Sequence, residues 1–597
     1  MKKSAITLIT LCLLSIVGSS QTSSWIRVNL LGYKPNGPKV AVWCSKNTGA
    51  VDSFRLVEVG SGRKVYTGKV AKAFGAYGPF EQTCRLDFSD YTIAGRYILQ
   101  AGDAVSETFS IAADVYKNSA DFCLRYMRQQ RSGFNPFLND SCHTHDGYTL
   151  YGESAGLKDS THIDVSGGWH DATDYLQYAS TSANATYHLL MSWRDFPKVF
   201  GDQHQANGLK GSNGRADVLD EARWGLDWLL KMHPRPDWLF NQLADDRDHT
   251  GFRLPKEDPF YNKGFERPVY FVTGEPQQRA KFLNITTGTS SIAGKFSSAF
   301  ALGAYLLSKE DPSYANRLRT RSFTALDFAN RKHGFTQTAS VKVPYIYEES
   351  NWVDDMELAY AAVNRIGTPS THYLNQAQQY AALEPNTPWL GRDSARHYQW
   401  YPFVNVGHYE LAGQLKGRER DKIISFMRSG IEKVWQKAGK NAFYRGIPYI
   451  WCSNNLTVAF ALQCYWYRKL TSDNTYLPLE QSCFDWIFGC NPWGTSMVFG
   501  LPSWGDTPVD PHSSLTHLYQ YPLDGGLVDG PVYTSIFNNL YGLVLSKPDA
   551  YAQFQSNLAV YHDDFGDYST NEPTMDGTAT LIYLLAAKEA EQYPAKK

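Results

Sequence analysis

Near Ala112 the hydrophobic period of this chain changes, and that change limits the folds open to it. From residue 25 to 111, apolar residues alternate with polar ones or fall in short runs: Ile26, Val28 and Leu30; Val40-Ala41-Val42-Trp43; Phe54-Arg55-Leu56-Val57-Glu58-Val59; Tyr97-Ile98-Leu99. Glycine, serine and proline break the runs at short intervals, as in a small β-sandwich. Beyond 112 the spacing becomes helical. Ala120, Cys123, Leu124 and Met127 mark a helix within 114–128. Val218, Ala222, Leu226, Leu229 and Leu230 form one stripe over 217–232, with a start signal in 213–217. Further helices are predicted over 291–308, 322–329, 355–364, 376–383, 421–437, 455–470, 479–488 and 574–591. Ten or so helices joined by long loops suggest helical hairpins closed into a toroid, with function on the loops at one end. The absence of a strict repeat argues against a regular solenoid. The chain reads as mainly α, with a small all-β domain over 21–111 and a large helical domain over 112–597.

At 597 residues the chain exceeds one ordinary core. A net charge of -1 and a pI of about 6.9 leave no basic excess to track phosphates, so nucleic acid is not an expected partner. Aromatic residues make up 14%, enough to furnish both a core and flat platforms for sugar rings. Met1-Lys2-Lys3, an apolar run from Ala5 to Val17 and Gly18-Ser19-Ser20-Gln21 read as a secretory signal peptide over 1–20. That run is too short for a membrane anchor. Cys12 lies within it, without the small residues that precede a lipidated cysteine. The mature chain is expected to be an exported monomer, periplasmic or extracellular, without membrane insertion. Eight cysteines remain after cleavage, too few for a dense disulfide framework. Cys44 and Cys84, both in strand-like segments, form one candidate pair.

Two acidic clusters carry the chemistry. In Gly167-Gly168-Trp169-His170-Asp171-Ala172-Thr173-Asp174-Tyr175, Asp171 and Asp174 stand three apart at an expected helix start. On a helix they would share one side and could hold a water and take its proton. The competing role is helix capping. In Asp567-Tyr568-Ser569-Thr570-Asn571-Glu572-Pro573, Glu572 precedes an apolar helix with Leu581, Ile582, Leu584 and Leu585. A general acid needs its pKa raised by burial or by negative neighbours. A helix N-terminus pulls the other way, and a first-turn glutamate stabilising that helix is the alternative. Two separated carboxylates on one cleft are the minimum for hydrolysing a glycosidic bond. Trp169, Tyr175, Trp352, Tyr449, Trp451 and Trp504 lie near polar or glycine-rich loops and are candidate cleft walls.

These segments resemble glycoside hydrolase family 9. The family carries Gly-Gly-Trp-(Tyr/His)-Asp-Ala-Gly-Asp, matched over 167–174 except at Thr173, and Asp-Tyr-x-x-Asn-Glu, matched over 567–572. Similar too are Asp217-Val218-Leu219-Asp220-Glu221 with Trp228-Leu229-Leu230, Tyr347-Glu348-Glu349-Ser350-Asn351-Trp352 with Asp354-Asp355-Met356-Glu357-Leu358, Phe488-Gly489-Cys490-Asn491-Pro492 and Ser496-Met497-Val498-Phe499-Gly500. Asn29-Leu30-Leu31-Gly32-Tyr33 resembles the immunoglobulin-like domain that precedes the catalytic domain in one branch. The resemblance covers essentially the whole mature chain.

It implies an (α/α)6 barrel behind an immunoglobulin-like sandwich, and inverting, endo-acting hydrolysis of β-1,4-glucosidic bonds in plant-type glucans, with no cofactor in the chemistry. Asp174 is implied as general base, Asp171 as the residue that fixes the water, and Glu572 as general acid, with acid and base roughly 6.5–9.5 Å apart. His512, in Pro511-His512-Ser513-Ser514, matches one residue of the family's Pro-His-His-Arg-like substrate segment, whose second His and Arg are missing; His517 is a weaker match. Relatives hold structural zinc, implied here at Cys142, His143 and His170, with Cys123 or His145 as a fourth ligand. Where those relatives have Gln-Arg-Cys-Gly, this chain has Gln130-Arg131-Ser132-Gly133. Calcium is also implied, without an assignable ligand set. Thr173 and the altered histidine segment keep open a xyloglucanase or mixed-linkage glucanase; a carbohydrate-binding protein without turnover and a zinc-dependent hydrolase are the other rivals.

Overall fold

The computed structural model describes residues 23–249, 251–258, 266–343, 346–368 and 371–593. The expected leader, 1–20, lies outside the described residues. β1 (Ser24–Arg27), β2 (Val40–Ser45) and β5 (Gln82–Asp87) form one antiparallel sheet in the order β1-β2-β5. β3 (Ser53–Glu58), β4 (Lys64–Lys69), β6 (Gly95–Ala101) and β7 (Ala104–Val105) form the second, in the order β4-β3-β6-β7, with β8 (Phe109–Ile111) on β6. Alternation does what it should: Phe54 and Leu56 turn inward to meet Leu86, Leu99 and Phe109, while Arg55 faces water.

The proposed Cys44–Cys84 bridge does not form, and both thiols are free. β2 pairs with β5 so that Trp43 opposes Cys84 and Cys44 opposes Thr83. A one-residue offset sends the two side chains to opposite faces of the sheet. Cys84 packs in the sandwich core, and Cys44 packs with the helical domain.

The helical domain holds α1 (Ser119–Gln129), α2 (Ala179–Asp195), α3 (Asp217–Met232), α4 (Ser290–Leu307), α5 (Pro312–Ala329), α6 (Val353–Ile366), α7 (Thr371–Leu383), α8 (Val406–Ala412), α9 (Gly417–Ala438), α10 (Ser453–Thr471), α11 (Leu477–Ile487) and a final helix (Met575–Ala590). α2, α4, α6, α8, α10 and the final helix each touch the next, and the final helix returns to α2, closing an inner ring. α3, α5, α7, α9 and α11 back their preceding inner helices, and α1 backs the final one. Six helix pairs so closed, five of them hairpins, make an (α/α)6 barrel.

α2 is missing from the helices read from periodicity. It is buried on nearly every side, and its first half is Ala-Ser-Thr-Ser-Ala-Asn-Ala-Thr, so no apolar stripe appears. Thr186 and Ser192 satisfy their buried hydroxyls on carbonyls one turn back, Ser182 O at 2.7 Å and His188 O at 2.8 Å. α5 begins ten residues before its predicted start, where Asp311 accepts from Tyr314 N and Pro312 occupies the first turn. The long segments before α2, α6, α8, α10 and the final helix all lead into inner-helix N-termini, so they gather at one end of the barrel.

Candidate active site

The first cluster is a loop and not a helix start: α2 begins only at Ala179, and 171–176 have no helical hydrogen bonds. Asp171 and Asp174 therefore do not share a helix face. Gly168 takes φ 73°, and a Cβ there would sit 2.6 Å from Trp228. The next side chain, Trp169, plunges into the core at 0% exposure, and its Nε1 donates to Glu221 Oε1 at 2.7 Å. Arg131 holds the same carboxylate at 3.1 and 2.7 Å. Trp169 is thus a core anchor for the loop and not a cleft wall.

Asp171 accepts from Thr181 Oγ1 at 2.7 Å and from the Tyr347 hydroxyl. Burial pushes its carboxyl up to about 8 and Asp576 adds to this, against the pull of those two hydroxyls. Asp174 points elsewhere. Its Oδ2 meets His249 Nε2 at 2.5 Å, and its Oδ1 is buried without a hydrogen-bond partner among the described residues. Partial desolvation disfavours a charged His249, but the adjacent Asp174 outweighs it and the imidazole pKa is raised.

The second cluster is built around Asp567, whose carboxylate accepts from Ser569 N, Ser569 Oγ, Thr570 N, Thr570 Oγ1 and His562 Nδ1 at 2.7–3.2 Å. Asn571 is pinned by Asp510 O, at 2.9 Å, and by the Tyr561 hydroxyl, at 3.1 Å. Glu572 emerges from this turn toward the first cluster. Thr173 N donates to Glu572 Oε1 at 3.1 Å, the Thr173 hydroxyl donates to His512 O, and Met575 N donates to Asp171 O at 2.9 Å. So Asp171, Asp174, Glu572 and His512, spread over some four hundred residues, meet at one place. Burial first, and Asp174 second, hold the Glu572 carboxyl well above the usual range. His512 faces Asp174 and places Nδ1 2.5 Å from Phe565 O; burial lowers its pKa.

Tyr175 is also buried, at 4%, with its hydroxyl on Arg253 O and its ring against His143 and His170. It supports the loop from beneath and does not wall the cleft. Tyr449 is taken up by the sandwich seam through the Tyr77 hydroxyl at 2.7 Å. Trp451 is partly exposed and lies between His397, at 5.4 Å, and Tyr568, at 5.9 Å, both nearly parallel to it. Tyr568 stands 6.1 Å from His512, which continues this aromatic line to the carboxylates. Trp451 also lines a pocket with Trp400, Phe403 and Arg396. Trp352, partly exposed at the start of α6, stacks on His333 at 5.3 Å; Trp504 is 69% exposed. Sequence reasoning missed Tyr347 as a ligand of Asp171, and it missed His249 altogether. The one sign of His249 is its place in the acid-rich loop Asp245-Asp246-Arg247-Asp248-His249.

Cys142, His143 and His170 bring one potential ligand atom each within 4.8 Å of one another, all buried; among the described residues this is the one such group of three. His143 Nδ1 lies 3.2 Å and Cys142 Sγ 4.0 Å from His170 Nε2. Asp258 backs His143 Nε2 at 3.3 Å, the outer carboxylate expected behind a ligating histidine. Cys123 packs in the core of α1 and His145 is exposed, so neither belongs to the group. Ser132 stands beside the group: its buried hydroxyl interacts with the Cys142 thiol.

Comparison with known proteins places the chain in a family. The sequence profile of Glycosyl hydrolase family 9 matches residues 116–585, and that of the Cellulase N-terminal ig-like domain matches 21–106. A cellodextrinase of Butyrivibrio fibrisolvens is 26% identical over 592 residues, covering 94% of this chain and 99% of that one. A xyloglucan-specific endo-beta-1,4-glucanase of Bacteroides ovatus is 25% identical over 595 residues, covering 95% and 94%. In fold, the chain is similar to a Zn-binding triple mutant of a family 9 endoglucanase, with a TM-score of 0.75 at 23% identity over 94% of this chain and 99% of that one. With the family profile spanning nearly all of the barrel and its two acidic segments meeting at one end of it, this chain belongs to glycosyl hydrolase family 9.

Proposed function

We propose that the protein hydrolyses β-1,4-glucosidic bonds within plant-type β-glucans, with inversion at the anomeric carbon. The observation that carries this reading is the division of labour between Glu572 and Asp174. Glu572 is partly buried, pinned by Thr173 N–H and biased toward its protonated form, so it gives its proton to the leaving glycosidic oxygen. Asp174 has one oxygen held by His249 and the other unengaged, so Oδ1 takes a proton from the attacking water. Asp171, fixed by Tyr347 and Thr181, orients that water. The water adds to the anomeric carbon from the face opposite the departing sugar, and the two carboxyls finish with their protons exchanged. Trp451, Tyr568 and His512 supply the sugar-binding side, with Trp352 as a more distant platform.

A xyloglucanase or mixed-linkage glucanase is the second reading, supported by Thr173 and by the serines that follow His512. The unit of function is taken as an exported monomer, periplasmic or extracellular, with the sandwich over 21–111 supporting the barrel over 112–597. Cys142, His143 and His170 would hold a structural zinc, with the hydroxyl of Ser132 at the fourth corner; such an ion cross-links the base of the catalytic loop. The test is hydrolysis of carboxymethylcellulose, barley β-glucan, tamarind xyloglucan, xylan and mannan, with the fresh anomer read by proton NMR. Cleavage of a β-glucan with α-anomer product is expected. A β-anomer product would overturn the role of Asp174, and inertness toward every glucan would favour a binding protein.

A further inference from the structure

A third acid stands against Glu572. Residues 527–530 run antiparallel to 570–574: Asp529 N donates to Glu572 O at 2.9 Å, Gly530 N to Thr570 O at 3.0 Å, and Thr574 N to Leu527 O at 3.1 Å. Val528 bridges to Pro573 in the same register. Asp529 is therefore held beside the acid by backbone pairing and not by a flexible loop. It is 1% exposed; its Oδ1 lies 3.2 Å from Cys452 Sγ, and its Oδ2 is buried with no hydrogen-bond partner among the described residues.

We propose that Asp529 is a positioning residue for Glu572, the two carboxyls forming a coupled pair in which Asp529 keeps the proton on the acid as pH rises. This rests on the assignment of Glu572 as general acid. Two neighbouring carboxyls without a cation between them, Asp529 buried and Glu572 partly so, cannot both ionise cheaply, so losing the second proton is resisted. The surroundings leave little to relieve that. Glu572 faces Asp174 and Asp171 of the first cluster, Tyr126 of α1 and the Thr173 N–H. Asp529 faces Cys452 and Trp451 at the entry to α10, Asp576 of the final helix and Asp171. Among the described residues no cationic side chain forms an ion pair with either carboxyl; His249 spends its charge on Asp174. Burial holds Asp529 well above the usual carboxylate range, the Cys452 thiol pulls it down, and Asp576 pushes it up again.

The pair can be pushed in both directions. Asp529→Asn removes the like charge and keeps the shape, so Glu572 should ionise earlier. The basic limb of kcat/KM should move down by about one pH unit while the acid limb stays in place. Cys452→Ser puts a stronger donor on Asp529 Oδ1 and favours its ionised form, so the basic limb should move up. A purely structural role for Asp529 would lower activity or the melting temperature without these opposed shifts. The carbonyl band of protonated Glu572, isolated as the infrared difference between the parent and Glu572→Gln, is titrated alongside and should shift with the limb. That band needs no turnover, so it decides the pairing even if no glucan is cleaved, an outcome that would sink the general-acid assignment instead. Equal titration of Glu572 in parent and both variants, or shifts of the same sign in both, would overturn the proposal.

Discussion

Thr173 joins the two carboxylate segments with a single residue, its amide on Glu572 and its hydroxyl on the His512 carbonyl. Glu572→Gln keeps an oxygen for that amide, and Asp174→Asn keeps a group for His249, so both variants should fold as the parent does. In the proposed mechanism each removes one of the two proton transfers, which should lower kcat by about 10²–10⁴-fold with unchanged circular dichroism. Near-parent rates in both would mean that other groups do the chemistry. These acids were legible because their chemistry sits in short contiguous motifs. The direction of a ring was not. Trp169 and Trp451 both sit beside loop residues in the sequence, yet one is buried and the other half-exposed. What turns Trp169 inward is Glu221, 52 positions along. His249 stayed hidden for the same reason: it acquires meaning only when its loop is folded onto Asp174, 75 residues earlier.

Elements differ in how much of themselves they print in the sequence. Outer helices such as α3 and α9 bury one stripe and could be read from it, and the final helix could be read from its apolar run, whereas α2, wrapped on nearly every side, has no polar face to contrast with an apolar one. Its hydroxyls and small residues are what an enclosed helix needs, but they look like loop composition. The strand pair Gly133–Asn135 and Asp140–Cys142 poses the converse problem, since it is too short to read alone. It matters because Cys142 and His143 hang from its end and reach His170, just before Asp171. With Ser132 at the fourth corner in place of a thiolate, zinc should bind and yet be lost on dialysis against EDTA. Ser132→Cys should retain stoichiometric zinc by elemental analysis and melt at a higher temperature, because a closed four-ligand site contributes directly to folding. If zinc-loaded parent and variant both emerge metal-free, the group is a hydrogen-bonded scaffold.

At the scale of the whole molecule, the sandwich and the barrel share a core. Leu31, Val42, Cys44 and Phe80 of the sandwich pack with the helices, Leu30 N donates to Phe488 O at 2.7 Å, and Arg27 reaches Pro492 O at 2.7 Å. The deepest link is Asn29, whose Nδ2 donates to Asp485 Oδ1 of α11 at 2.7 Å and whose Oδ1 receives Leu31 N at 2.9 Å. Burial pushes Asp485 up to about 7, against the pull of Asn29 and then Gln481. Its folded pKa thus exceeds the ordinary carboxylate value, so the folded chain holds this proton more tightly than the unfolded one. The resulting stability is complete at low pH and fades as pH rises through about 7. Asn29→Ala removes a donor that supports the ionised form. At about pH 5 Asp485 is largely protonated, and the loss is that of neutral hydrogen bonds, about 1 kcal/mol each. At about pH 8 the carboxylate is left charged in the seam with one donor fewer, and the loss should grow to about 2–3 kcal/mol. Urea unfolding of parent and variant at both pH values measures the difference. A cost equal at the two would mean that Asp485 does not ionise in the seam, and that Asn29 ties the domains through a neutral hydrogen bond at both pH values.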